Sequence, residues 1–127
     1  MSNTRAELEN GNIRVALVKG AKAVAASRTL TRDDQGYVLT CAVDVVLTLP
    51  SAADAGVMFF IKNGALSTGT GLSISPASTD SIDGGTANKD LINTGASDVL
   101  GDSVIIVSDG GTNWNTLAKG GIWAPEA

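Results

Sequence analysis

The sequence predicts an all-β domain: a small β-sandwich or β-barrel of short, mostly antiparallel strands, with an extended N-terminal arm. Three observations carry this. Short apolar runs ("YVLTCAV", "VVLTLP", "VMFFIKN", "LSISP", "SVIIVSD") recur along the chain, separated by polar turn residues, the spacing expected of a sandwich or barrel. The 15 glycines, with many Ser, Thr, Asn and Asp, signal frequent turns. No stretch sustains a helical period over helical length. At 127 residues the chain has the size of one domain. Such a chain buries about two-thirds of its unfolded surface, so it needs no metal or disulfide. Only 4% of the residues are aromatic, so the core must come from Val, Ile, Leu and Ala with a few aromatic anchors.

The elements follow in order. Residues 1–12 are polar; Thr4 with Glu7 resembles a capping box, and a frayed arm fits equally well. From Asn12 to Lys19, Ile13, Val15 and Leu17 share one strand face and Gly20 ends the run, leaving Ala21 to Ser27 as a connector. The expected division is therefore an arm over 1–27 and a β-domain over 28–127. "RDDQG" then reads as a solvated turn before the strand "YVLTCAV". Asp44 marks a turn, "VVLTLP" ends at Pro50, and "SAADAG" is turn-like with Ser51 as cap and Gly56 as stop. "VMFFIKN" fits a buried strand and "GALSTGTG" a loop. Beyond "LSISP", Ile82, Leu91 and Ile92 are expected to point inward. "SVIIVSD" and "TNWNTLAKG" form the last hairpin across Asp109-Gly110-Gly111, with Val104, Ile106, Trp114 and Leu117 facing the core and the glycines supplying φ > 0. "GIWAPEA" is a tail that Pro125 keeps short.

Composition also narrows function. A formal charge of −4 and nine scattered Lys and Arg give no basic stripe for nucleic acid. Histidine is absent, which removes the usual general base, metal ligand and nucleophile activator. The single cysteine, Cys41, allows no internal disulfide or Cys-based zinc site and reads as a buried apolar residue. The N-terminus is polar and mixed in charge, unlike a signal peptide, and no apolar run reaches membrane length, so synthesis in a cytosol is expected. Asp80 and Asp83 before Gly84 faintly suggest a cation loop, but Ca²⁺ needs more converging carboxylates, and a β-turn fits better. The Gly-rich "GALSTGTGLS" opens no helix and so offers no phosphate cradle. Asp33 and Asp34 have no partner carboxylate for acid–base work. Trp114 and Trp123, flanked by Asn113 and Asn115, suit either a sugar-stacking wall or the plug of an aromatic-poor core or interface. No catalytic, cofactor or metal site is expected.

Four stretches in order, "RTLTRDDQGYVLTCAVDVVLTLP", "AGVMFFIKN", "LSISPASTDSIDGG" and "GDSVIIVSDGGTNWNTLAK", together resemble a recurring bacteriophage virion domain. The resemblance spans roughly Arg28 to Lys119 and leaves residues 1–27 unmatched. Similar domains occur in capsid decoration (cement) proteins and in tail-fibre or appendage proteins, commonly as homotrimers. The resemblance implies a non-catalytic structural module on the outer capsid surface of a virion, made in the host cytoplasm. It implies the major capsid protein as partner and no nucleic acid or membrane. A chain of this length beginning at Met1 favours a decoration protein, with a receptor- or glycan-binding tip as the alternative. The arm is expected to contact the capsid or a neighbouring subunit. Ile13, Val15, Leu17 and Trp123 are the candidate interface residues.

Overall fold

The structure, a computed structural model, describes residues 18–127. It contains eleven strands: β1 (Gly20–Val24), β2 (Arg28–Thr29), β3 (Tyr37–Cys41), β4 (Val46–Thr48), β5 (Met58–Asn63), β6 (Gly71–Ser75), β7 (Ser81–Ile82), β8 (Leu91–Thr94), β9 (Ser103–Ser108), β10 (Asn113–Gly120) and β11 (Ala124–Pro125). They form two sheets, sheet A in the order β1-β3-β5-β9-β10-β7 and sheet B in the order β11-β8-β6-β4-β2. The sheets stack as a β-sandwich. Alternation along each strand sends one set of side chains between them: Leu39, Cys41, Phe59, Ile61, Val104, Ile106 and Trp114 from sheet A, and Leu47, Leu72, Ile74 and Leu91 from sheet B.

The expectation of mostly antiparallel strands is corrected. Five of the nine strand pairings are parallel. From β1 to β6 the chain passes to the other sheet after every strand, so β1, β3 and β5 lie parallel in sheet A and β2, β4 and β6 lie parallel in sheet B. The first half is thus a short two-sheeted coil. Antiparallel β8 and β9 then close it against β6 and β5. Hydrophobic alternation marks which face a strand buries, whichever way its neighbour runs, so it carries no signal for this choice.

Other expectations shift locally. Gly20 opens β1 rather than ending a strand, and β1 pairs with β3 from Gly20↔Tyr37 to Val24↔Cys41, so residues 20–24 belong to the sandwich. Leu117 faces outward, 59% exposed, because the register of β10 slips between Thr116 and Ala118. In β8, Leu91 and Asn93 point inward and Ile92 is half-buried. At the last hairpin only Gly110, at φ 87°, takes up the left-handed region expected of both glycines.

"RDDQG" is not a solvated turn. Residues 32–34 form a 3₁₀ turn capped by Thr31, and Asp34 is fully buried. Its carboxylate accepts from Lys22 Nζ at 2.9 Å, from Arg28 at 3.0 Å and from the Thr31 N–H at 2.9 Å. Burial by itself raises the Asp34 pKa, but the Thr31 and Lys22 hydrogen bonds and the two cationic charges outweigh it and hold the group below its usual range. One side chain thereby ties β1 and β2 to the crossing that leads into β3.

Two substitutions test this account by chemical denaturation. Phe59→Ala, which removes the ring stacked 5.7 Å from Trp114, is expected to cost about 3–5 kcal/mol. Asp34→Ala is expected to cost about 1–3 kcal/mol, through the freed Thr31 N–H and two unpaired cations. Parent-like midpoints would contradict the assigned roles.

Candidate interaction surface

The coil topology gathers four loops at one end of the sandwich. Strands β3 and β5 run parallel and both finish there, while β9 begins there, with Ser103 opposite Lys62. Gly120, opposite Ser103, ends β10 at the same end, and Thr94 ends β8 beside Gly71, where β6 starts. The loops are 42–45, 64–70, 95–102 and 121–123.

These loops carry Val43, Leu66, Val99, Leu100 and Ile122, each between 42% and 60% exposed. They are five of the seven large hydrophobic side chains exposed among the described residues; Val18 and Leu117 are the others. Scattered exposed aliphatics are ordinary on any protein, but their concentration on one end is the mark of a contact surface.

A polar network beneath the loops fixes them. Asn93, fully buried on β8, accepts from Asn63 Nδ2 at 2.8 Å, and its own Nδ2 donates to Asp102 Oδ2 and to the Ile122 carbonyl, both at 2.9 Å. Asp102 Oδ2 also accepts the Val99 N–H at 2.9 Å, and Asn63 Oδ1 accepts the Ala65 N–H at 2.9 Å. Asp98 Oδ2 accepts the Ser67 N–H at 2.6 Å. Backbone groups in connecting loops need such partners once they are covered, and here buried Asn and Asp side chains supply them.

Asp44, held at φ 51°, is the second anchor. It accepts from the Ser67 hydroxyl, from the Gly71 N–H at 2.9 Å and from Thr68 Oγ1 at 3.0 Å. The Ser67 hydrogen bond first, then that from Gly71, lowers its pKa to about 2. Gly71 has to be glycine: its φ is +101°, and a Cβ there would lie 2.1 Å from the Asn93 carbonyl oxygen. The result is a set of aliphatic side chains on rigidly held loops, suited to making a contact with little ordering cost.

The sequence-predicted residues fall elsewhere. Ile13, Val15 and Leu17 lie outside the described residues. Trp123 is 7% exposed, its ring in the core and its Nε1–H donating to the Gly120 carbonyl at 3.0 Å, so it offers little surface to a partner. The residue that faces out is its neighbour Ile122, which alternation in "GIW" assigns to the opposite face. Trp114 is fully buried, and its indole N–H has no hydrogen-bond partner. These two rings therefore build no sugar-stacking wall. Asn113 is occupied within the turn, accepting from the Gly84 N–H at 2.8 Å and donating to Asn115 Oδ1 at 2.8 Å.

The other carboxylates singled out in sequence also hold protein donors. Asp80 accepts the Ala52 N–H at 2.9 Å, and Asp83 accepts the Thr116 N–H at 2.8 Å and its hydroxyl at 2.7 Å. Among the described residues no three His, Cys, Asp or Glu side chains converge as metal ligands, and no helix is long and apolar enough to cross a membrane. No protein-family model matches the chain, and no curated protein is similar to it.

Asp44 yields a pH prediction. Its folded pKa of about 2 lies below the ordinary 3.8, so its contribution is complete above about pH 4 and is lost as pH falls through 2. Thermal midpoints measured across that range are expected to fall less steeply for Asp44→Asn than for the parent. Asp34 adds its own acid dependence to both proteins. Identical slopes would contradict the assignment.

Proposed function

We propose that the protein is a structural virion component: a bacteriophage capsid decoration protein that binds the outer capsid surface as a homotrimer and stabilises the head against internal DNA pressure. The observation that carries the reading is the apolar loop end, five aliphatic side chains on loops fixed by buried Asn and Asp. It is joined by the ordered motif set from Arg28 to Lys119 that resembles phage virion domains. In this reading the loop end seats against the major capsid protein and against neighbouring subunits around the three-fold axis. A closed trimer presents the same patch three times, so modest contacts add through avidity. An interface of about 1,600 Å² per subunit pair would hold the trimer. The mechanism is mechanical: bridging contacts between capsomers resist their separation.

A paired substitution tests it. Leu100→Asp with Ile122→Asp alters exposed positions and is expected to leave folding stability within about 0.5 kcal/mol of the parent. Binding to expanded capsids of the cognate phage is expected to weaken at least about tenfold, the loss of roughly 1.4 kcal/mol that interface anchors commonly contribute. Unchanged capsid binding by the variant would overturn the assigned surface. A parent protein that stays monomeric at micromolar concentration and ignores capsids would overturn the function.

A further inference from the structure

Strands β5 and β9 are apolar on both faces. Phe59, Ile61, Val104 and Ile106 enter the core, while Met58, Phe60, Ile105 and Val107 stand half-buried on the outer face of sheet A. Continuous apolar runs of this kind belong to strands covered on both sides. Sheet B is different outside, where Thr29, Thr48 and Ser75 form one cross-strand row. On sheet A the corresponding row is Val38, Phe60, Ile105 and Ala118, running over β3, β5, β9 and β10.

A shallow apolar depression of about 300 Å³ lies on this row. One of its walls is Val18, the first described residue. Val18 leads into β1, the edge strand of the sheet, yet it lines the depression with residues of β3, β5 and β9. The chain therefore comes into β1 from over the outer face. Immediately upstream is Ile13-Arg14-Val15-Ala16-Leu17, four of five residues apolar.

We propose that residues 13–17 lie across the outer face of sheet A of their own chain, with Val15 and Leu17 covering Phe60 and Ile105. The lengths agree. Four strands at about 4.8 Å separation span about 14 Å, and five extended residues reach about 16 Å. Occupation by the same chain is favoured because the tether already enters over this face, and a short tether gives an effective concentration on the order of millimolar. The proposal is independent of the capsid reading, which uses the loop end. It gives the N-terminal arm a partner other than the capsid or neighbouring subunit expected from sequence.

The test attaches a nitroxide label to Arg14→Cys in the full chain. Cys41 is buried and burial pushes its thiol up to about 12, so labelling is selective for the new site. Strong paramagnetic broadening of β5 and β9 amides is expected, and none of the loop 95–102. In an equal mixture of labelled ¹⁴N chain with unlabelled ¹⁵N chain, the broadening is expected to vanish. Broadening that persists in the mixture would assign the face to a second copy and overturn the proposal, as would its absence from β5 and β9 in either sample. Deleting residues 1–17 provides a second readout: binding of a hydrophobic-surface dye is expected to rise, and unchanged dye binding by a folded truncated chain counts against the proposal.

Discussion

Among the described strands, every connection except that between β9 and β10 carries the chain from one sheet to the other. The rest of the molecule depends on this constraint. A crossing that reverses direction each time brings alternate strands back parallel, which is why β1, β3 and β5 share one direction and β2, β4 and β6 share another. Two-residue hairpins cannot make parallel neighbours, so the connections lengthen and collect at the two ends of the sandwich. The core stays aliphatic and thin, closed by Phe59 stacked on Trp114.

Long crossings expose backbone donors that no sheet satisfies, and the chain answers with buried acids and amides. Asp34 holds the crossing into β3, Asp80 holds the turn at Ala52, and Asn63, Asn93 and Asp102 hold the loop end. Each is expensive to bury alone and stable only with its donors in place. The same groups that solve the backbone problem leave Val99, Leu100 and Ile122 standing outward on fixed loops. Surface and scaffold therefore share one cause.

Much of the strand inventory is legible in sequence, because β-branched runs bounded by Gly, Pro and Asp have few other solutions. "YVLTCAV", "VMFFIKN" and "SVIIVSD" became β3, β5 and β9 nearly as read. Pairing direction was not legible: a polar stretch such as "RDDQG" serves a hairpin and a sheet-to-sheet crossing equally well, and only the crossing buries Asp34. The candidate surface was missed for a related reason. A tryptophan attracts attention as an anchor, yet in "GGIW" the larger ring takes the core and Ile122 is left outside. Leu100 lies in a stretch with no strand pattern, and its exposure is set by Asn63 and Asp102, residues distant in sequence or chemically unremarkable in it.

The central claim is that this end of the sandwich is where the protein meets its capsid. Amide hydrogen exchange of the full chain, measured with and without expanded capsids, tests it most directly. The account predicts slowed exchange in residues 64–70, 95–102 and 121–123 on capsid addition. Unchanged exchange in those loops, with protection elsewhere or nowhere, would contradict it.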